Sequence, residues 1–341
     1  MKVSIFDVAK KAGLSVVTVS RVLNNATTVR EKNRLKVLQA MKDLDYRPNA
    51  AARSLAKGKT GVIGLIITTL QDSFLDNIVH HASRQLKEHG YYLALSVANY
   101  PLEEGYGLEL IQEDRVDGVL ILSAVYEDMY VMELKKRKIP FVLIDSQSMH
   151  PPATSVQVDN YKGGYEATQH LITMGHSRVA HMRGPNFFLS AAERERGYRD
   201  AMHEAGLETM VIGTGDFSIP TGYNLMKEWL SEHEIPEALF AADDFMAIGA
   251  INALQEAGYR VPEDISIVGY DDQVLATQLR PYLTTVKQPS ERIACGAVDM
   301  LIKQINGAYK RQPALKVEPE LVVRATSAPR LPALQQKSTS F

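Results

Sequence analysis

Two hydrophobic rhythms divide the chain. Near the N-terminus the apolar residues recur at helical spacing in short segments. Ile5, Val8, Ala9 and Ala12 form one stripe, with Ser4 and Asp7 spaced as a capping box and Gly13 as a left-handed stop. Ser15 is placed to cap a second helix over Val16–Leu23, ended by Asn24-Asn25. A third helix is expected from Glu31 to about Leu44. It presents Leu35, Leu38, Met41 and Leu44, and Thr28 and Glu31 are spaced as its capping box. Two short helices joined so tightly bury little alone, so a three-helix unit is expected, with Val8, Ala12, Val19, Val22, Leu35 and Leu38 as its core.

From Thr60 the rhythm changes. Apolar runs at 61–67, 91–96, 118–122, 141–144, 179–181, 238–241 and 265–269 alternate with helical stretches, several closed by Gly90, Gly175, Gly206 and Gly258. Strands that are apolar throughout and separated by helices mean parallel sheets covered on both faces. Two sets of such strands predict two similar α/β lobes. The expected division is a helix-turn-helix head over 1–47, a hinge over 48–59, a core over 60–330 and a polar tail over 331–341. Within the core, lobe 1 takes 60–158 plus 288–316, and lobe 2 takes 159–287 plus 317–330.

Charge changes the picture more than composition does. The chain is 45% hydrophobic and 23% charged, as ordinary globular proteins are. Residues 1–60, however, hold thirteen Lys/Arg against four Asp/Glu, a net +9, while the remainder holds 25 basic and 36 acidic residues, a net −11. A basic head on an acidic body points to a polyanion-binding module attached to another domain. No apolar run reaches the ~20 residues of a spanning helix, so no membrane association is expected. Asp7 interrupts the place of a signal peptide's apolar segment, and the single Cys295 excludes an intramolecular disulfide; a cytoplasmic location is expected. Cys295 falls among Ile293, Ala297 and Val298 in a helical run and is expected to be buried.

The assigned core leaves Val16, Val17, Ser20 and Arg21 on the outer face of the second helix. Valines there suit a major groove, where apolar groups meet thymine methyls, and Arg21 suits a guanine edge or a phosphate. Thr18, Asn24, Thr28 and Asn33 are short polar groups suited to positioning on phosphates. The alternative for Val16 and Val17 is packing against the third helix. Beyond the head, Pro48 starts a helix well, but 49–56 is only about two turns, too short to be stable alone in water. A basic, Ala-rich segment of that kind folds on binding.

The run Asp7-Val8-Ala9-Lys10-Lys11-Ala12-Gly13-Leu14-Ser15-Val16-Val17-Thr18-Val19-Ser20-Arg21-Val22-Leu23-Asn24 resembles the signature of the lactose-repressor (LacI/GalR) family. Tyr46-Arg47-Pro48-Asn49-Ala50-Ala51-Ala52-Arg53-Ser54-Leu55 resembles that family's hinge. Where the family often has Ser or Thr at the start of the third helix, this chain has Arg30. The resemblance implies a dimer on a near-palindromic double-stranded operator, with the recognition helix in the major groove and a hinge that becomes helical on DNA. By motif match Leu55 is the minor-groove wedge, flanked by Ala52, with Val16, Val17 and Arg21 reading bases. Ordinary core packing is the alternative for Leu55.

In open parallel sheets, ligands sit beyond the carboxyl ends of the strands. That rule nominates 68–74, 123–126, Asp145, 186–194, Asp243-Asp244 and Asp271-Asp272. Acids, an arginine and aromatics converging there are sugar-binding chemistry: polar forks grip hydroxyls while a ring covers the apolar sugar face. The runs 239–249, 267–272 and 283–288 also resemble the family's core, which has a two-lobed fold like that of periplasmic binding proteins. By those matches Asp271, Arg194, Asp243 and Asp145 line an effector cleft, Phe74 holds the place of its aromatic, and Phe217 is added to them. The alternatives are a solvated helix face for Arg194, a helix cap for Asp243 and core positions for Phe74 and Phe217.

No P-loop, G-x-G-x-x-G, H-E-x-x-H or G-x-S-x-G occurs, and neither Cys295 nor the nine histidines have metal-ligand spacing. An enzyme, a metal and a cofactor are therefore not expected. The expectation is a sequence-specific DNA-binding repressor whose operator affinity is altered by a small molecule, a mono- or oligosaccharide, bound between the lobes of a homodimer. A solute-binding protein, or a regulator with a purine or phosphoprotein corepressor, is the alternative.

Overall fold

The computed structural model describes residues 3–24, 26–47, 58–69, 73–97, 111, 115–123, 127–147, 154–307 and 314–330. Two compact units divide at Gly61 and Val62. No helix among the described residues is long and apolar enough to cross a membrane.

The first unit is the three-helix head: α1 (Ile5–Ala12), α2 (Val16–Leu23) and α3 (Glu31–Asp43). The Ser4–Asp7 capping box is formed, with the Asp7 carboxylate accepting from Ser4 N at 2.9 Å. Gly13 turns the chain at φ 63, a left-handed conformation that a Cβ would strain. Ser15 Oγ accepts from Thr18 N at 3.2 Å and starts α2.

Two expectations for α3 are overturned. Its N-cap is Arg30, with no side-chain cap bond, so the box from Thr28 does not form. Leu35 and Leu38 are 59% and 49% exposed; the head's core is Val8, Ala9, Ala12, Val19, Val22, Val37 and Ala40. The reason is helical phase. Val37, Ala40, Met41 and Leu44 lie at i, i+3, i+4 and i+7 and turn inward together, which carries Leu35 and Leu38 off that stripe.

The second unit is two α/β lobes. In the first, β1 (Val62–Ile67), α4 (Ser73–Glu88), β2 (Tyr92–Val97), β3 (Gly118–Leu122), α5 (Glu127–Arg137), β4 (Phe141–Ile144) and β5 (Ser155–Val158) follow in order. The chain then builds the second lobe from α6 (Asn160–Thr173), β6 (Val179–Arg183), α7 (Leu189–Glu204), β7 (Met210–Thr214), α8 (Ile219–Glu232), β8 (Ala238–Ala241), α9 (Asp244–Glu256), β9 (Ser266–Asp271), a 3₁₀ turn (Val274–Thr277) and β10 (Thr284–Lys287). It returns through α10 (Ser290–Ile305) to β11 (Leu315–Val317) in the first sheet and ends with β12 (Glu320–Val322) in the second.

The sheet orders are β11-β5-β4-β3-β1-β2 and β12-β10-β9-β8-β6-β7, parallel throughout except where β12 runs antiparallel to β10. The chain therefore passes between lobes at 158–160, 287–290 and 317–320. Val317 belongs to the first sheet, one residue beyond the expected boundary. Alternate residues of β1 and β3 pack on opposite faces, Leu65 and Leu120 with α4 and α10, Ile66 and Ile121 with α5. Burial on both faces is why these strands are apolar without interruption. Cys295 is half-buried rather than buried, its Sγ 3.8 Å from Gln85 Oε1.

Candidate functional sites: the recognition helix and the interlobe cleft

On the head, α2 presents Val17, 61% exposed, together with exposed Arg21 and Asn24 and half-buried Ser20. Val16 differs from its expectation as an outward valine, because it is half-buried and packs against the head's core. Thr18 is half-buried, its hydroxyl 2.9 Å from Ser15 Oγ, while Thr28 is exposed and Asn33 half-buried. Arg34, not singled out from the sequence, donates from Nη2 to the Ala26 carbonyl at 2.8 Å and ties α3 to the turn after α2. Ala52 and Leu55 lie outside the described residues.

In the core, one cavity of about 500 Å³ opens between the lobes, and its walls include Phe74, Asp145, Arg194, Phe217, Asp243 and Asp271. The topology explains the convergence. Ser123 follows β3, Asp145 follows β4 and Asp271 ends β9, so each stands at a strand's carboxyl end. Ser123, Asp145, Phe217 and Asp271 all have positive φ, at 48°, 51°, 62° and 103°. Non-glycine residues held there are strained, and such strain collects where a fold aims side chains at a ligand. Phe217 further depends on Gly184, whose added Cβ would stand 2.5 Å from the phenylalanine ring.

Arg194 is the fixed centre of the site. It is 4% exposed, which overturns the solvated-face alternative. Its Nε donates to Asn160 Oδ1 at 3.0 Å, Nη1 to the Ala242 carbonyl at 2.6 Å and Nη2 to Asp271 Oδ1 at 3.2 Å. Its Cζ lies 3.7 Å over the Tyr270 ring. Burial opposes its charge, but Asp271 and Asp145 more than offset that and hold the guanidinium above its ordinary pKa.

Asp271 Oδ1 also accepts from Gln288 Nε2 at 2.6 Å. Burial raises Asp145 above the ordinary carboxylate range, even though its Oδ2 accepts from Ser123 Oγ at 2.9 Å. Asp243 reaches the cavity and also caps α9, accepting from Met246 N at 2.8 Å. Asp244, nominated beside it, is not on the cavity wall. It is fully buried and accepts from Thr285 Oγ1 at 2.5 Å and Gln273 N at 2.7 Å, and burial lifts its pKa well up.

Phe188 and Asp216 also line the cavity. The Phe188 ring meets that of Phe217 at 5.7 Å between centroids, tilted by 43°. Asp216 is exposed at the rim; burial pushes its carboxyl up, but hydrogen bonds from Ser218 and Thr221 together leave it below its ordinary pKa. Phe188 falls inside the nominated stretch 186–194, but Asp216 was missed. It follows β7, whose short run MVIGT contains a glycine and was not read as a strand, so the strand-end rule had nothing to act on. Among the described residues no group of three or more His, Cys, Asp or Glu is placed to hold a metal ion.

Comparison with known proteins follows the same two units. Residues 4–49 match the family described as bacterial regulatory proteins, lacI family, and residues 168–327 match the periplasmic binding protein-like domain. The HTH-type transcriptional repressor PurR of Edwardsiella ictaluri is 36% identical over 331 residues, covering 95% of this chain and 97% of that protein. The structure of the lac repressor dimer bound to operator and the anti-inducer ONPF is 30% identical with a TM-score of 0.86, covering 96% of this chain and all of that one. The transcriptional regulator CelR–cellobiose complex is 32% identical with a TM-score of 0.71, again covering 96% of this chain and all of that one.

Proposed function

The chain belongs to the LacI family of bacterial regulatory proteins and is a DNA-binding transcriptional repressor of that family, and from that premise we propose that a small neutral sugar in the interlobe cleft sets its affinity for its operator. The carrying observation is the cavity's chemistry. Asp145, Asp216 and Asp271 offer carboxylate oxygens suited to sugar hydroxyls, and Phe74, Phe188 and Phe217 offer ring faces for the sugar's apolar side. Arg194 is already engaged by Asn160, Ala242 and Asp271, so it orients the wall and does not stand out as a cation for an anionic ligand. The similar CelR is seen with cellobiose, a disaccharide.

In this reading a homodimer sets two α2 helices in successive major grooves, with Val17 and Arg21 at base edges and Ser20, Thr18, Asn24, Thr28 and Asn33 toward the backbone. Val16, half-buried, contributes its outer edge. The hinge folds over the operator's centre and Leu55 enters the minor groove beside Ala52, a proposal that rests on the motif alone. Effector binding changes the lobe angle, and operator affinity changes with it, reciprocally.

A second reading, a purine corepressor, is favoured by the same three phenylalanines, since a ring face serves a heteroaromatic as well as a sugar. The test is a mobility-shift titration of operator-bound protein with mono- and oligosaccharides, and with purines in parallel. Release or tightening by a sugar supports the first reading. A response to purines alone replaces it with the second.

A further inference from the structure

We infer that Gln147 is the positioning residue that latches the two lobes together at the cleft and transmits effector occupancy to lobe closure, an inference that rests on the cleft being the effector site. Gln147 lies three residues past the end of β4, in the first lobe. Its Oε1 accepts from Leu189 N at 2.7 Å, and Leu189 is the first residue of α7, in the second lobe. Its Nε2 donates to the Asp145 carbonyl at 2.6 Å. The amide orientation is fixed by its partners, since a carbonyl needs a donor and a backbone N–H needs an acceptor.

Each end of this latch has a reason to be there. The first N–H groups of a helix lack intrahelical partners, and α7 has no side-chain cap of its own because its N-cap is Phe188. Gln147 supplies an acceptor from the opposite lobe, so the two lobes complete one helix terminus between them. On its own side the latch is held rigid by Glu127, which is buried at the first residue of α5. Glu127 Oε1 accepts from Ser146 Oγ at 2.6 Å and Oε2 from Gln147 N at 3.1 Å.

Position makes the bond a reporter of the cleft. It lies on none of the segments 158–160, 287–290 and 317–320 where the chain passes between lobes, so opening the cleft can break it while the chain path stays intact. Its two anchors flank cavity-lining residues: Asp145 on one side, Phe188 and Ser190 on the other. A second cavity of about 210 Å³, lined by Asp145, Ser146, Leu189 and Ser190 among others, opens beside the latch. An occupant touching Asp145 or Ser190 therefore acts directly on the residues that carry the latch, and α7 also carries Arg194, which holds Asp271.

Hydrogen exchange of the full-length protein tests the latch without any effector. In Q147A the Leu189 amide should lose protection by on the order of tenfold relative to wild type, while Q147E, which keeps an acceptor for Leu189 but cannot donate to Asp145, should retain most of it. Amides in β3 and β8 should not change in either variant. Unchanged protection at 187–190 in Q147A overturns the latch.

A second arm measures coupling, using D-glucose and cellobiose as probes and an operator recovered by selection on the wild-type protein. A probe that binds both proteins by calorimetry should shift operator affinity markedly less in Q147A than in wild type. An equal shift in both overturns the transmitting role. If neither probe binds wild type, these sugars fail as effectors, while the exchange arm still decides the latch.

Discussion

Nη2 of Arg194 lies 3.2 Å from Oδ1 of Asp271, with both side chains almost withdrawn from water at 5% and 8% exposure. Asp145 and Asp243 act on the same guanidinium. Breaking a buried pair by removing one partner leaves the other charge uncompensated, which costs roughly 3–5 kcal/mol. Arg194→Ala should therefore lower the core's stability to urea by that order and abolish effector response. A loss under about 1 kcal/mol, the scale of an exposed pair, would show that the pair is open to water.

Arg21 stands exposed on α2, four residues from Val17, the valine that faces outward most fully. Arg21→Ala should weaken operator binding by about 1–3 kcal/mol and relax the preference at one base pair if the contact is to a guanine edge. If the contact is to a phosphate, binding should weaken evenly across sequences and the salt slope should fall by about one. Fluorescence anisotropy against operator and scrambled duplexes, at several salt concentrations, separates the two.

Ser54 and Leu55 replaced together by Gly should remove both the helix tendency of the hinge and the wedge proposed for Leu55. The kink such a wedge holds open lets the duplex meet more protein surface, and losing those contacts should lower specific affinity at least about a hundredfold while salt-dependent non-specific binding stays. Retention of specific affinity in this variant would rule out the hinge as the element that recognises the operator's centre.

His181 is fully buried, stacked between Tyr198 and Phe240 at centroid distances of 5.0 and 4.9 Å, and its Nδ1–H donates to the Phe240 carbonyl at 2.9 Å. Burial lowers its pKa from 6.5 to about 4. A group whose folded pKa lies below its unfolded one stabilises the fold above the unfolded value and loses that contribution as pH falls toward the folded value. Between pH 6.5 and 4 the loss should reach about 3 kcal/mol. The stability difference between wild type and His181→Phe should fall by that amount across the window, and a difference independent of pH would mean that His181 takes up its proton as readily folded as unfolded.

How much of this was legible in the chain depends on how local each cause is. Ser4, Gly13 and Ser15 act within a few residues, and their caps stand as the spacing indicated. The strand-end rule reached Asp145 and Asp271 because a parallel strand aims its end in a direction set by topology, and it reached Arg194 only through the long stretch 186–194 nominated after β6. Leu35 and Leu38 misled because a helix with leucines on one side and Val37 and Ala40 on another has two candidate stripes, and only the neighbouring helices select one. Gln147 was invisible for a stronger reason. A polar residue after a strand carries no sequence mark of the helix terminus it completes 42 residues away.

The cleft's charge makes the last prediction. Four carboxylates, Asp145, Asp216, Asp243 and Asp271, stand on its wall, and Arg194 already faces three of them. A phosphate group placed there meets like charge, and at a separation of ~6 Å with an effective dielectric of ~20 each unit-charge pair costs about 3 kcal/mol. That is about a hundredfold in affinity for each such pair. A neutral sugar should therefore bind at least about a hundredfold more tightly than its phosphate ester, and Asp216→Asn, which removes one rim charge without emptying the cavity, should narrow that ratio. Isothermal titration of each sugar against its phosphate ester reads both effects, and a phosphate ester that binds as well as its parent would mean that a cation reaches the cleft on ligand binding.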